Sequence, residues 1–205
     1  GPEFDGALVD WDEMFKRMGT FKDAEREEME HFEEHLASVE ANKKKETTDV
    51  VMDVEPTTES IAELTDRNSE WRKELRASMK AKDRGNIERV KMPELDPVYR
   101  ATTRTEEVNI GLTKEMALTE AKRCLDCPKP TCVEGCPVNI NIPSFIKNIE
   151  RGQFLAAAKV LKNTSALPAV CGRVCPQEKQ CESKCIQLKM NKPAVAIGYL
   201  ERFAA

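Results

Sequence analysis

Apolar residues recur at helical spacing in separate short stretches along this chain. Asp10 and Glu13 stand three apart as an N-cap pair, with Trp11, Met14, Phe15 and Met18 on one face. Met29, Phe32, Leu36 and Val39 make a thin apolar stripe on an acidic helix over 22–42, on which His31 and His35 stand at i and i+4. Two histidines without a third ligand read as a solvated helix face. The pattern lapses over 43–60, which reads as a linker. It returns as a helix over 61–82, with Trp71, Leu75 and Met79 on one face and Gly85 as its stop. Residues 86–112, with Pro93 and Pro97 four apart, predict an extended strap laid across another surface.

Thr113 then caps a helix carrying Met116, Ala117, Leu118 and Ala121. Pro143 opens another, with Phe145, Ile146 and Ile149 inward and Gly152 as its end. Phe154 to Asn163 carries Leu155, Ala158 and Leu161, and Ala194 to Ala205 carries Ile197, Leu200 and Phe203. No apolar run approaches the length of a membrane span.

Charge divides the chain further. Residues 1–60 hold 18 acidic against 7 basic side chains, 61–120 balance at 12 each, and 121–205 hold 6 against 13. With 33% charged and 5% aromatic residues, one large apolar core is not expected, and a helical arm beside a small compact unit is. The basic final stretch lacks interleaved aromatics, which argues against nucleic-acid binding.

All eight cysteines fall in that final stretch, as C-x2-C-x4-C-x3-C-P from Cys124 to Pro137 and C-x3-C-P-x4-C-x3-C from Cys171 to Cys185. Three chemistries use cysteines at this density. Iron–sulfur ligation takes three thiols from a tight loop and a fourth from elsewhere, and a Cys-Pro ending serves a second cluster in ferredoxins. Structural zinc uses paired C-x2-C knuckles, of which only one is present. Disulfides belong to secreted chains, and a secreted chain is not expected here. The spacing favours iron–sulfur ligation, and two cysteine groups point to two clusters. Cys124, Cys127 and Cys132 share one short loop and point to one cluster, and Cys136 to the other. Basic residues suit the negative charge of thiolate-bound clusters. The fold expected is mostly α, a small helical domain holding two 4Fe-4S clusters over 113–205. It is preceded by a helix and strap over 61–112, the linker, and an acidic helical tail of an upstream domain over 1–42. The nine glycines form no G-x-G, so no phosphate cradle is present, and no catalytic constellation stands out.

E-A-K-R-C-L-D-C-P-K-P-T-C-V-E-G-C-P-V-N-I-N-I-P-S-F-I, with L-P-A-V-C-G-R-V-C-P-Q-E-K-Q-C-E-S-K-C and I-G-Y-L-E-R-F-A, resembles an iron–sulfur domain. It is the N-terminal domain of the NADPH-dependent glutamate synthase small subunit, shared with dihydropyrimidine dehydrogenase and the large subunit of the bifurcating NADH-dependent ferredoxin:NADP oxidoreductase. The resemblance covers about 65–205 and includes the strap R-V-K-M-P-E-L-D-P-V-Y-R. It implies an α-helical ferredoxin-like fold with an FAD- and NADP(H)-binding region following Ala205. G-P-E-F-D-G-A-L-V-D-W-D-E-M-F-K-R is similar to the tail of a partner flavin and two-iron cluster subunit, which implies an upstream domain of that kind.

By the same resemblance, Cys185 completes the first cluster with Cys124, Cys127 and Cys132. Cys136, Cys175 and Cys181 hold the second, and Glu201 fills its remaining place, leaving Cys171 spare. On spacing alone, four cysteines per cluster and an exposed Glu201 stay open. The function expected is a cytoplasmic electron relay in a flavin- and NAD(P)H-dependent oxidoreductase, with no nucleic-acid or membrane partner. This stretch would not turn over alone. A zinc-stabilised interaction module without redox function is the alternative, and a helical docking scaffold a third reading.

Overall fold

The computed structural model describes residues 57–205, together with Asp12, Glu13, Lys16, Gly19 and Arg26, which are helical and exposed. The chain divides into two compact units, Gly1–Asp53 and Val54–Ala205. The apolar faces expected over 11–18 and 29–39, both histidines and most of the linker lie outside the described residues. The second unit is helical, and among the described residues there is no strand beyond one isolated bridge, Glu94 with Asn109. No helix among them is long and apolar enough to cross a membrane.

In chain order the helices are α1 (Ile61–Thr65), α2 (Glu70–Ser78), α3 (Ala81–Asn86), α4 (Pro97–Thr102), α5 (Lys114–Lys122), α6 (Thr131–Glu134), α7 (Ile142–Glu150), α8 (Phe154–Lys162), α9 (Pro168–Val174), α10 (Ile186–Lys189) and α11 (Ile197–Ala204). Two 3-10 turns, Gln177–Lys179 and Glu182–Lys184, lie between α9 and α10.

The core is built on α7. Asn141 caps it by accepting from the Ser144 N–H, and Pro143 sits in its first turn. Ile142, Phe145, Ile146 and Ile149 are all buried, one continuous face at helical spacing. Each contributes roughly 1.5–3 kcal/mol by leaving water. Gly152, at φ 80, turns the chain out of the helix, a left-handed conformation that glycine adopts without steric cost. α8 then packs back on α7 through Ala156, Ala157, Val160 and Leu161. Leu155, expected on that face, is largely exposed; the alanines face inward and let the two helices close. Phe154 meets Phe203 of α11 edge-on at 5.2 Å.

Other expectations change too. The helix over 61–82 is three short helices. Asp66 Oδ1 accepts the Asn68 N–H, and Ser69 Oγ donates to the Asp66 carbonyl, so local side-chain bonds replace the helical ladder. Gly85 does not end α3 but lies buried within it, where a Cβ would stand 3.4 Å from Gln187 Oε1. The strap is not extended throughout. Asp96 caps α4 ahead of Pro97, and the chain folds back so that Leu95 N–H donates to Val108 O and Ile110 N–H to Pro93 O.

The last helix begins at Ile197, not Ala194. Buried Glu120 accepts the Ala196 N–H through Oε1 and the Val90 N–H through Oε2. Arg123 donates to the carbonyls of Pro193 and Ala194. These side chains take the backbone groups that another helical turn would have used, and the Glu120–Arg123 pair is itself fully buried.

Candidate metal centre

The first cysteine loop leaves the C-terminus of α5. Cys124 follows Arg123 and is buried, Cys127 follows Asp126, Cys132 lies in α6, and Cys136 follows Gly135. The second group starts in α9, a helix not foreseen in the sequence, where Cys171 lies within and Cys175 caps the end. Cys181 stands between the two 3-10 turns, and Cys185 ends the second turn and precedes α10. None of the eight is in a disulfide.

Four of these thiols come together. Cys124, Cys127, Cys132 and Cys185 line one cavity, closed by Leu125, Pro130, Thr131, Ile142, Pro143, Ile146, Ile186, Gln187, Val195 and Ile197. The wall is almost entirely apolar. Thr131 Oγ1 donates to the Lys184 carbonyl at 2.6 Å, tying the first loop to the segment that presents Cys185. Burial pushes the Cys124 thiol up to about 11, against the opposing pull of the Lys147 ammonium and the Asp126 backbone N–H. Burial pushes Cys132 further still, reinforced by Cys124, Cys185 and Cys127. Cys127 is raised by burial and then by Cys185 and Asp126.

The other donors form a second group. Cys175 is raised by burial, by the charge and hydrogen bond of Cys171, and then by Glu201 and Cys136. Burial pushes Cys181 up to about 12, with Glu182, Cys136 and Glu201 adding to it. Glu201, on α11, is buried rather than exposed, and its Oε1 has no hydrogen-bond partner. Burial alone lifts its carboxyl to about 7. A buried carboxylate oxygen without a donor costs on the order of 1–3 kcal/mol unless something positive meets it.

Close backbone approach builds this second group. A Cβ on Gly172 would stand 2.6 Å from the Arg202 nitrogen, so α9 rests directly on α11 at that glycine. A Cβ on Gly135 would stand 2.8 Å from the Gln180 carbonyl and 3.1 Å from Cys181 Cα, so this glycine lets the first loop lie against the second. Glu107 of the strap binds Arg173 and Arg202, bracing the same two helices from outside.

Among the described residues, no three His, Cys, Asp or Glu side chains converge on a point as the ligands of a single ion would. The first four thiols surround a space instead. Buried and half-buried thiols around an apolar cavity, three of them (Cys124, Cys127 and Cys132) with raised proton affinity, suit a group that binds thiolates and displaces their protons. The unpartnered Glu201 oxygen adds one further donor at the second group. The residues present therefore fit iron–sulfur ligation.

Several residues around the site are not singled out by sequence reasoning. Arg67, Arg72, Arg76, Lys147, Glu182 and Gln187 all bond to the cysteine segments or flank them. The one sequence signal is Arg72 and Arg76 at i and i+4 on a helix, with a lone Asp between two cysteines.

Comparison with known proteins agrees with this chemistry. The small chain of NADPH glutamate synthase from Azospirillum brasilense is 34% identical over 113 residues, 55% of this chain and 23% of its own length. That of Escherichia coli K12 is 40% identical over 97 residues, 47% of this chain and 20% of its own. The NAD-dependent dihydropyrimidine dehydrogenase subunit PreT of E. coli K12 is 39% identical over 98 residues, 48% of this chain and 24% of its own. The chain thus spans a quarter or less of the length of these curated relatives. A family described as dihydropyrimidine dehydrogenase domain II, 4Fe-4S cluster, matches residues 100–205, more than half of the chain. The chain belongs to this 4Fe-4S cluster family.

Proposed function

We propose that this chain holds two 4Fe-4S clusters and relays single electrons between a flavin region and a partner redox centre of an NAD(P)H-dependent oxidoreductase. The observation that carries the reading is the sorting of the donors. One set of four thiols lines an apolar cavity, and the remaining thiols gather with a buried carboxylate whose oxygen lacks a donor. Cys124, Cys127, Cys132 and Cys185 would hold the first cluster. Cys136, Cys175, Cys181 and Glu201 would hold the second, with Cys171 a neighbouring free thiol.

When bound, such a cluster accepts and releases one electron with little change of shape. The protein's part is to hold the donors, exclude water and set the local charge. Ile142, Ile146, Val195 and Ile197 dry the first cavity. A carboxylate at the second group is a harder donor than a thiolate, so the two centres would differ in potential. Names of relatives that include NADPH or NAD support a nicotinamide-dependent oxidoreductase as the setting. The upstream flavin and two-iron domain rests on the resemblance of residues 1–17.

The test is a spectrum of the anaerobically reconstituted chain with stepwise reduction. Broad visible absorption that dithionite bleaches is expected. With no G-x-G in the sequence, NADPH alone should leave it unchanged. A colourless, zinc-loaded protein would contradict the reading and support an interaction module.

A further inference from the structure

The x2 of the first C-x2-C contains a residue held far more firmly than a loop requires. Asp126 has φ 53, the left-handed region that residues other than glycine rarely adopt, and it is fully buried. Its carboxylate points at two guanidinium groups. Arg72 is 2% exposed; its NH2 donates to Oδ1 at 2.6 Å and its Nε reaches both oxygens at 3.1 Å. Arg76 NH1 donates to Oδ2 at 2.6 Å. Arg67 grips the backbone of the same residue, donating to the Asp126 carbonyl at 3.1 and 2.9 Å. Arg72 also donates to Thr65 O and Ser144 Oγ, and Arg76 to Arg67 O, so the clamp is anchored to α1, α2 and α7.

The neighbouring carbonyls are held as well. Lys147 Nζ donates to Cys124 O at 2.7 Å, and Gln187 Nε2 to Arg123 O at 2.9 Å. Side chains from α7, α10 and the turn between α1 and α2 therefore fix the carbonyls of 123, 124 and 126. The consequence falls on the backbone of the same residue, whose N–H is the donor that partly offsets the effect of burial on the Cys124 thiol. A hydrogen bond to a ligating sulfur disperses its negative charge and favours the reduced cluster.

We propose that Arg72 and Arg76 act as positioning residues. By clamping Asp126 in its left-handed conformation they hold its N–H on the Cys124 sulfur, and so raise the reduction potential of the first centre alone. This rests on the proposed assignment of Cys124 to a cluster. Charge and position predict opposite results at one residue. Removing the Asp126 carboxylate takes away a negative charge, which by itself would raise the potential. Losing the clamp would lower it. Asn tolerates the left-handed region and keeps an acceptor for Arg72, whereas Ala does neither.

The experiment compares the full chain with Asp126→Ala, Asp126→Asn and Arg76→Gln. Midpoints are read by redox titration with electron paramagnetic resonance, and hydrogen exchange is measured over 123–128. Asp126→Ala should lower one midpoint only, Asp126→Asn should restore much of it, and the loop should exchange about tenfold faster in the Ala variant. Equal upward shifts in Ala and Asn, equal shifts at both centres, or no shift would overturn the proposal. Should Asp126→Ala not fold, Arg76→Gln carries the test, because Arg76 is partly exposed: one lowered midpoint with faster exchange supports it, and unchanged exchange overturns it. If the unsubstituted chain takes up no cluster, the functional reading fails separately. Exchange in the metal-free variants then decides the clamp, with an unaltered loop counting against it.

Discussion

The two cysteine groups have similar donors and are built in different ways. The first is walled by apolar side chains and held from outside by charged ones: Arg72 with Asp126, and Lys147 with Glu150 and Cys124 O. The second depends on backbone closeness, with glycines at the contacts and a carboxylate left without a donor. It also borders a more exposed surface, since Leu167, Val170 and Val174 at α9 stand open to solvent. Polar clamps tolerate small changes of size and fail when a partner is removed. Glycine contacts fail on the addition of one carbon. The groups should therefore respond to different substitutions.

Ile146→Ala should have the largest effect on stability. It removes a fully buried wall of the first cavity, and a loss of about 2–5 kcal/mol is expected in denaturant unfolding of the reconstituted chain. Iron at the second group should suffer less than iron at the first; uniform loss would erase the contrast between the groups. Gly172→Ala comes next. The added carbon meets the Arg202 backbone, so α9 must move off α11 at about 1–3 kcal/mol, and the second group should lose its metal preferentially.

Glu201→Ala should change stability less and spectroscopy more. It should alter the spectrum or midpoint of one centre and leave the other unchanged, whereas two unaltered centres would remove Glu201 from the ligands. Cys171→Ser should do least. Its hydroxyl can keep the neighbouring hydrogen bonds, and both centres should form. Loss of a centre in this variant, with none in Glu201→Ala, would restore four cysteines to the second cluster.

Much of the fold is legible in the amino-acid sequence, and so is the gathering of Cys124, Cys127 and Cys132 at one cavity. Cysteine spacing and the helical periodicity around Phe145 and Ile149 are local signals, and the fold follows them. The breaks in the segment over 61–82 come from bonds of Asp66 and Ser69 to groups two and three residues away, a local signal that the apolar periodicity of Trp71, Leu75 and Met79 masks. The late start of α11 is equally hidden, since Glu120 replaces a helical partner from 76 residues away. The Arg72–Asp126 pair spans 54 residues, and no periodicity encodes a contact of that range. Burial of Glu201 follows from α11 packing on its neighbours, whereas sequence alone permits an exposed face.

Whether this chain holds two clusters is decided most directly by its content of iron and acid-labile sulfide after anaerobic reconstitution, with zinc determined in the same sample. Two four-iron centres require about eight irons and about eight sulfides with negligible zinc. Four or fewer irons, or zinc in their place, would contradict the two-cluster reading.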